Sequence, residues 1–398
     1  MDLASLTGTP NPLAAHYRRF AVADRLLLTG HSHQAWPDVG FEAQADAWLD
    51  AAELVDEKWE RAFARADQVR DGFARLLGDA GDGIALAPNT HELVVRLLSA
   101  LPLRARSRLV TTDGEFHTIR RQLDRLAEEG IEVVRVPEAP LESVAARLAD
   151  AVDDRTAAVL VSLVFFDSGR IARGLDALAV SCRRHGTALL VDAYHALNVV
   201  PVSLAELDLL DAYVVGGGYK YCELGEGNCF LRLPPGCALR PVITGWFSEF
   251  TALADRERPD RVVYGQGGDR FAGATYDPAS HYRGAAVFRF FREQGLTPEL
   301  LRRVSQHQIG VLAAGFDALD LDPALIRRDR SAPLDELGGF LALRAPGATV
   351  LARRLFERGL RCDARGEVLR LGPAPYLAEQ QLRDAVRILG EVASTRRR

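Results

Sequence analysis

The feature that most constrains the fold is a series of short, continuously apolar runs, which alternate with longer amphipathic segments through the middle of the chain. The clearest runs are TAAVLVSLVFF at 156–166 and TALLVDA at 187–193, separated by the helical pattern GLDALAVSCRRHG at 174–186. Strands that are apolar on both faces and separated by helices are typical of a parallel sheet covered by helices on both sides. The pattern therefore predicts an α/β fold built on a mostly parallel sheet.

Further apolar runs of the same kind extend the predicted sheet. They lie at 83–88, 107–113, 131–137, 208–217 and 228–234. Near residue 285 the pattern changes to long helices, followed by a strand, a helix, a second strand and a closing helix. A chain of 398 residues exceeds what one small core accommodates. We therefore expect a large domain at 51–285, a smaller α/β domain at 286–398, and an N-terminal segment at 1–50 that packs on the small domain.

The charge balance and the cysteines exclude several classes of protein. A net charge of -5 argues against a nucleic-acid or anionic-membrane partner, since either usually requires a basic face. Five widely spaced cysteines without a CxxC pair predict neither a disulfide framework nor a zinc site, and we expect no metal. The N-terminus lacks the pattern of a signal peptide, and no apolar run reaches the ~18 residues of a membrane span. The sequence therefore predicts a cytoplasmic enzyme or small-molecule-binding protein.

Two charged residues stand where apolar runs end, Asp192 in VDAYH and Lys220 in GGGYK. Ligands of parallel α/β sheets bind at the carboxyl ends of the strands, so we expect both side chains at the ligand site. A lysine with a lowered pKa forms a Schiff base with an aldehyde, and pyridoxal phosphate is the commonest such aldehyde. That cofactor also needs a carboxylate beside its ring nitrogen to keep the nitrogen protonated. Lys220 and Asp192 therefore predict a pyridoxal 5'-phosphate site, with both residues catalytic.

Two other interpretations of these segments are open. GGGYK could be a phosphate-binding glycine loop, but it lacks the spacing GxxxxGK[ST], and no serine or threonine follows Lys220. The chain could also be a non-catalytic small-molecule or nucleotide-binding protein with a doubly wound sheet. Visible absorption by a lysine-bound cofactor distinguishes that alternative from an enzyme.

Five segments carry a resemblance to a known family. They are VDAYHALNVVPVSL at 191–204, GYKYCELGEG at 218–227, GWFSEF at 245–250, RFAGAT at 270–275 and EVLRLGPAPY at 367–376. In these segments the chain resembles a fold-type-I pyridoxal-phosphate enzyme of the class V aminotransferase superfamily, and within it kynureninase most. The resemblance implies the pyridoxal-phosphate-dependent transferase fold, an amino-acid substrate and a homodimer with a shared active site.

The resemblance also implies roles for single residues toward the cofactor. Lys220 would attach it and move the Cα proton, and Asp192 would pair with the ring nitrogen. Asn89, Thr90 and His91 open a helix after a strand, where free N–H groups and the helix dipole bind phosphate. The remaining residues implied in cofactor binding are His195, Tyr219, Phe116, Ser168, Trp246 and Thr275, the last two often across a dimer interface.

On the substrate side, the resemblance implies that Arg370 binds the α-carboxylate, which a planar guanidinium fork holds with two hydrogen bonds. The segment GHSHQAW at 30–36 makes His31 and Ser32 candidate substrate contacts. The implied reaction is kynureninase-like hydrolytic cleavage of a Cβ–Cγ bond. The alternatives are a class V aminotransferase, and a C–S lyase or cysteine desulfurase, which would need a reactive cysteine such as Cys222 near the lysine.

Overall fold

The computed structural model describes residues 1–252 and 261–394. In this part of the chain the strands are β1 Leu26–Leu27, β2 Ile84–Ala87, β3 Arg108–Thr112, β4 Glu132–Val136, β5 Thr156–Ser162, β6 Ala188–Asp192, β7 Tyr213–Gly217, β8 Cys229–Arg232, β9 Arg327–Arg328, β10 Leu341–Arg344, β11 Leu360–Arg361, β12 Asp363–Arg365 and β13 Val368–Leu371.

The same residues contain helices that cover the sheets. They are α1 Leu3–Thr7, α2 Asp38–Leu54, α3 Lys58–Leu77, α4 Thr90–Ala100, α5 His117–Glu128, α6 Val144–Asp150, α7 Leu175–His185, α8 Ala279–Glu293, α9 Pro298–Ala318, α10 Ala348–Glu357 and α11 Glu379–Ser394. Short 3₁₀ turns lie at Pro12–His16, Arg18–Phe20, Val22–Asp24, Leu141–Ser143, Trp246–Ala252, Gly267–Phe271 and Leu334–Glu336. None of the described helices combines the length and the apolar character needed to cross a membrane.

The larger sheet has seven strands in the described residues, in the order β2-β8-β7-β6-β5-β3-β4. The neighbouring pairs from β7 to β4 are parallel, which confirms the predicted mostly parallel sheet. All seven residues of β5 are buried, because helices cover both faces of the sheet there. That burial explains the continuously apolar pattern of the run.

Strand β8 is the exception, since it is antiparallel to both β7 and β2. A parallel return would need a crossover, usually through a helix. The connection at 218–228 contains no helix and instead turns back along the sheet edge. Lys220 lies in this connection, so the turn that reverses the chain also carries the lysine at the carboxyl end of β7.

A second, four-stranded antiparallel sheet has the order β12-β13-β10-β9 and packs with α9 and α10. The N-terminal segment joins this region through the parallel pair β1 and β11. Helix α2 of the N-terminal segment packs on α8 instead, and α8 runs across the predicted domain boundary at residue 285. The domain bounds given above stay a prediction.

The strand ends that form the site are held in register. Ser162 at the end of β5 pairs with Asp192 at the end of β6, and Asp192 pairs with Val215 of β7. A Cβ atom at Gly217 would lie 2.5 Å from both the Tyr194 hydroxyl and the Cys229 sulfur. Glycine at the end of β7 therefore allows these side chains to close over the strand end beside Lys220.

Candidate active site

A cavity of about 380 Å³ opens at the carboxyl ends of the parallel strands. Eight residues that the sequence predicts as cofactor contacts contribute to its wall: Asn89, Thr90, His91, Phe116, Asp192, His195, Tyr219 and Lys220. They come from four separate segments of the chain, and the topology brings them to one edge of the sheet. Their roles stay predictions, but the geometry below shows what the arrangement can bind.

The Lys220 side chain lies inside this cavity and is almost fully buried. Its Nζ lies 2.6 Å from Nε2 of His195. Burial lowers the pKa of Lys220 to about 7, although the negative charge of Asp192 acts in the opposite direction. A large fraction of the amine is therefore neutral near pH 7, as attack on an aldehyde requires.

Asp192 and His195 place a charge and an unpaired polar atom beside the amine. Oδ1 of Asp192 accepts a hydrogen bond from the Tyr194 backbone N–H at 2.8 Å, and burial raises the pKa of the carboxyl. Burial and the nearby Lys220 charge hold the pKa of His195 well below its usual value, so its imidazole is neutral. Nδ1 of His195 is buried without a partner among the described residues.

These observations fit pyridoxal phosphate. A protonated ring nitrogen beside Asp192 would offset the cost of burying that carboxylate. The unpaired imidazole nitrogen of His195 leaves a hydrogen-bonding group available to a polar ligand. The amine of Lys220 shares the same cavity, so one aldehyde-bearing ring could meet all three side chains.

The N-terminus of α4 forms one wall of the cavity. Asn89 caps the helix by accepting a hydrogen bond from the Glu92 N–H at 2.9 Å, and Thr90 and His91 are the first helical residues. The positive end of the helix dipole and the first N–H groups favour an anion at this position. The capping role of Asn89 and a phosphate site are compatible, because the cap satisfies only one of the first N–H groups.

Aromatic rings surround the amine. The ring centroids of Tyr194, Phe116 and Tyr219 lie 4.6, 5.5 and 5.7 Å from Nζ of Lys220. Phe166 meets Phe116 edge to face at 5.4 Å and also lines the cavity. Flat apolar walls of this kind suit a heteroaromatic ring, which stacks on or against them.

Arg370 lies next to the cavity and is held on two sides. Nε donates to Oδ1 of Asp363 at 2.9 Å, Nη2 donates to Oδ2 of the same carboxylate, and Nη1 donates to the backbone carbonyl of Phe166 at 2.7 Å. Asp363 faces Arg370 directly across the β12–β13 pair. The pairing fixes the plane of the guanidinium. Burial acts to raise the pKa of Asp363, but hydrogen bonds from His31 and Arg370 outweigh it and hold this pKa far below its usual value.

The predicted substrate contact His31 also binds Asp363. Its Nε2 lies 2.7 Å from Oδ1, and the ring is completely buried. Burial lowers the pKa of His31 to about 4, so the neutral ring donates its N–H to the carboxylate. Within this chain His31 therefore supports the Asp363–Arg370 pair and does not line the cavity.

Four other predicted residues are not brought to the lysine within one chain. The Ser168 hydroxyl donates to Oε1 of Glu138 at 3.1 Å, and the Ser32 hydroxyl donates to the Thr29 carbonyl at 3.1 Å. Thr275 lines a separate cavity of about 840 Å³, and Trp246 packs on Phe247 with a centroid distance of 4.3 Å. Contacts of Trp246 and Thr275 across a dimer interface stay a prediction.

The sequence analysis missed several residues of the site. Phe166 and Ser162, both from the strand-end segment that contains Ser168, line the cavity where Ser168 was expected. Ser162 also donates to the buried carboxyl of Glu115 at 2.7 Å, and burial raises the pKa of that carboxyl to about 7. The sequence does contain a signal for Asp363. In DARGEVLR at 363–370, the glycine at 366 is typical of a hairpin turn, and a hairpin centred there pairs Asp363 with Arg370.

The pKa of Lys220 gives a testable pH dependence. We expect the rate at which cofactor-free protein takes up pyridoxal phosphate covalently to rise with pH up to about 7 and then to level off, because only the neutral amine reacts. A lysine with its ordinary pKa of 10.5 would give a rate that still rises above pH 9. Stopped-flow absorbance across pH 5.5–9.5 measures this, and a continued rise above pH 8 would contradict it.

No protein-family model matches the chain. Among curated proteins, it is 33% identical over 356 residues to 2-aminoethylphosphonate–pyruvate transaminase of Burkholderia pseudomallei (strain K96243), covering 83% of this chain and 89% of that protein. It is 25% identical over 345 residues to the uncharacterized aminotransferase YcbU of Bacillus subtilis (strain 168), covering 85% of this chain and 87% of that protein.

Solved structures show the same architecture. A complex between the cystine C–S lyase C-DES and its product cysteine persulfide has a TM-score of 0.81 at 19% identity, over 93% of this chain and 98% of that chain. A C-DES mutant with glycine covalently linked to the pyridoxal-phosphate cofactor has a TM-score of 0.84 at 18% identity, over 96% and 99%. The predicted fold class is thereby confirmed.

Proposed function

The chain belongs to the class V aminotransferase family of pyridoxal-phosphate-dependent enzymes, and we propose that it transfers the amino group of an amino acid to a 2-oxo acid. Both curated relatives named above are described as aminotransferases, one by its substrates and one by its class. Neither name implies hydrolysis of a Cβ–Cγ bond. Transamination, the alternative in the sequence analysis, therefore replaces kynureninase-like cleavage as the favoured reaction.

The observation that carries this proposal is the buried amine of Lys220, with a pKa near 7, beside the neutral imidazole of His195. Pyridoxal phosphate, when bound, withdraws electrons from the bonds at the substrate Cα and so makes the Cα proton acidic. Transamination needs one base that removes this proton and returns it to a different carbon. Lys220 can accept and release a proton near neutral pH, and we assign it that role.

The other residues of the cavity would bind and orient. Asp192 would hold a negative charge at the ring nitrogen, and the N-terminus of α4 would bind the phosphate. Phe116 would provide a flat wall for the ring. Arg370, fixed by Asp363, would present its remaining N–H groups to the substrate carboxylate and so orient the Cα–H bond.

The buried cysteines, which include Cys222 beside the lysine, do not favour desulfurase chemistry. All five cysteines lie within the described residues, and Cys182, Cys222 and Cys229 are buried. Burial raises the pKa of Cys229 to about 12 and that of Cys222 further still. A persulfide-forming cysteine needs an accessible thiolate, which these environments disfavour. Cys222, although it follows the lysine closely, is therefore unsuited to act as the nucleophile.

Product analysis tests the proposed reaction. The purified enzyme would be incubated with 2-aminoethylphosphonate, kynurenine, cystine and a panel of L-amino acids, each with and without pyruvate. Transamination predicts that alanine forms only when both pyruvate and an amino donor are present, in equal amounts with the oxo product. Alanine released from kynurenine without pyruvate would instead indicate hydrolysis, and pyruvate or persulfide released from cystine would indicate elimination.

Arg370 gives a mutational prediction for substrate binding. Arg370→Gln is expected to raise KM for carboxylate-bearing amino acids by about 10–100-fold, because charge-assisted hydrogen bonds contribute about 1.5–3 kcal/mol. Visible absorption by the bound cofactor should stay unchanged. Arg344→Gln, at an exposed arginine on β10 of the same sheet, is the matched control and should leave KM unchanged. An unchanged KM in Arg370→Gln would contradict the assignment.

We also propose that two copies of the chain pair, as the family resemblance implies. Six large apolar side chains at 242–250 and 262–263 are exposed in the single chain: Val242, Ile243, Trp246, Phe250, Val262 and Val263. Phe250 packs on Trp246 and lines the same cavity as Thr275. Exposed apolar groups that form a patch mark interaction surfaces. Light scattering of the purified protein should give twice the 43.5 kDa mass of one chain, and a monomer would contradict the proposal.

A further inference from the structure

A second, much smaller cavity lies behind the loop that carries the catalytic lysine. Its volume is about 20 Å³. Side chains from five separate segments line it, among them Gln34, Asn198, Tyr221, Ser305 of α9, and the prolines at 373 and 375. It is distinct from the lysine's cavity, since the two have no lining residue in common.

Four of these lining residues each have a buried polar atom without a hydrogen-bond partner among the described residues. The atoms are Oε1 of Gln34, Oδ1 of Asn198, the Tyr221 hydroxyl and the Ser305 hydroxyl. All four residues are more than nine-tenths buried. Buried polar groups in folded proteins are nearly always paired, so four unpaired atoms around one cavity indicate an unseen partner.

The orientation of the Asn198 amide is fixed independently of the cavity. Nδ2 of Asn198 donates to the Tyr221 carbonyl at 3.0 Å, which turns the amide oxygen the other way. A helical serine often donates to the carbonyl four residues earlier, yet Ser305 has no such bond. The free oxygen of Asn198 therefore does not result from an arbitrary choice of amide orientation, and the Ser305 hydroxyl has no partner along its own helix.

We propose that this cavity holds one water molecule bound by Gln34, Asn198, Tyr221 and Ser305. Two of the four groups are carbonyl oxygens, which accept hydrogen bonds, and two are hydroxyls, which can donate. One water donates two hydrogen bonds and accepts two, so it satisfies all four groups at once. The volume agrees, because a single water needs about 10–15 Å³ measured in this way.

A metal cation fits the site less well. The residues that line the cavity include no carboxylate to offset its charge. Each hydroxyl that coordinates a cation would also leave its own hydrogen without an acceptor. A dry cavity is equally unfavourable, since each unpaired buried group costs about 1–3 kcal/mol.

The water would join parts of the chain that meet only in the folded protein. Tyr221 follows the catalytic lysine directly, whereas Gln34 belongs to the N-terminal segment and Ser305 to α9. Burial holds the Tyr221 pKa above its usual value, so the hydroxyl keeps the proton it donates. The bound water therefore links the back of the lysine loop to α9 and to the N-terminal segment.

A crystal structure of the holoenzyme grown in rubidium chloride tests the occupant directly. The proposal predicts one ordered peak within 2.6–3.2 Å of all four groups, the range of ordinary hydrogen bonds, without anomalous signal at the rubidium edge. An anomalous peak at this position would show a monovalent cation, and absent density would show an empty cavity. Either result would overturn the proposal.

Thermal unfolding of variants gives an independent test. Tyr221→Phe and Ser305→Ala each remove one partner of the same water, so each should lower Tm by about 1–2 °C and the double variant by less than the sum. Tyr213→Phe is the matched control, because the Tyr213 hydroxyl contacts Cys237 at 3.5 Å on another part of the fold. Its effect should add to that of Ser305→Ala. Additive effects of Tyr221→Phe and Ser305→Ala would contradict a shared water.

Discussion

Replacing Lys220 by alanine is expected to abolish covalent attachment of pyridoxal phosphate and to lower kcat by about 10⁴-fold or more. The variant loses both the attachment point and the base that moves the Cα proton, and general acid–base catalysis alone contributes about 10²–10⁴-fold. Visible absorption of the purified protein measures attachment, and amino-group transfer measured on the same sample gives kcat. Alanine leaves the backbone turn intact, so the loss reports on the amine.

The small number of lysines in the chain makes the result of this experiment easy to assign. Lys58 and Lys220 are its only lysines. Lys58 is the first residue of α3, where its ammonium donates to the Val55 carbonyl at 3.1 Å, away from the cavity. Borohydride reduction followed by peptide mass analysis should therefore find the cofactor on one peptide, and Lys58→Ala should behave as the parent protein. A borohydride-stable cofactor–peptide adduct in Lys220→Ala, or one found on Lys58 in the parent protein, would contradict the whole site assignment.

Asp192→Asn is expected to keep the cofactor attached but to lower kcat by about 10²–10⁴-fold. Asparagine has nearly the same shape but no charge, so the protonated ring nitrogen would lose its buried partner. Removing one member of a buried ion pair costs about 3–5 kcal/mol, which corresponds to this change in rate. Absorbance confirms attachment, and single-turnover kinetics measures proton transfer at Cα without product release.

Glu115→Gln is the matched control for this prediction. Glu115 is a second buried carboxyl near the same strand ends, bonded to the Thr112 and Ser162 hydroxyls, each at 2.7 Å. Burial raises its pKa to about 7, so it is partly neutral at pH 7 and glutamine resembles its protonated form. We expect a much smaller effect on kcat than in Asp192→Asn. Equal losses in the two variants would indicate general damage to the sheet edge and would contradict a specific role for Asp192.

The sheet and the centre of the site could be predicted because their signals are local. The apolar run that became β5 is buried on both faces, and its composition records that burial residue by residue. Asp192 ends β6, and Lys220 follows β7 within a few residues. Parallel strands align their carboxyl ends, so two strand-end charges meet without any knowledge of the rest of the fold.

The sequence was less informative where a loop turns. Ser168 was expected at the cofactor, but Ser162 and Phe166 line the cavity and Ser168 bonds to Glu138. The chain leaves β5 at Ser162, and side chains no longer alternate between two faces beyond that point. Which residue of the following loop faces inward then depends on the turn, and periodicity gives no guide to it.

The sequence by itself determined the order of strands and helices, the mostly parallel sheet, and the aspartate and lysine that meet at its edge. Only the tertiary structure decided how Arg370 is held, because His31 and Asp363 are 332 positions apart and meet only once the N-terminal segment packs on the small sheet. The same holds for the polar cavity behind Tyr221, which five separate segments enclose. The physical reason is that the apolar pattern of a strand reflects burial of that strand alone, whereas a hydrogen-bonded cluster depends on the mutual packing of distant segments.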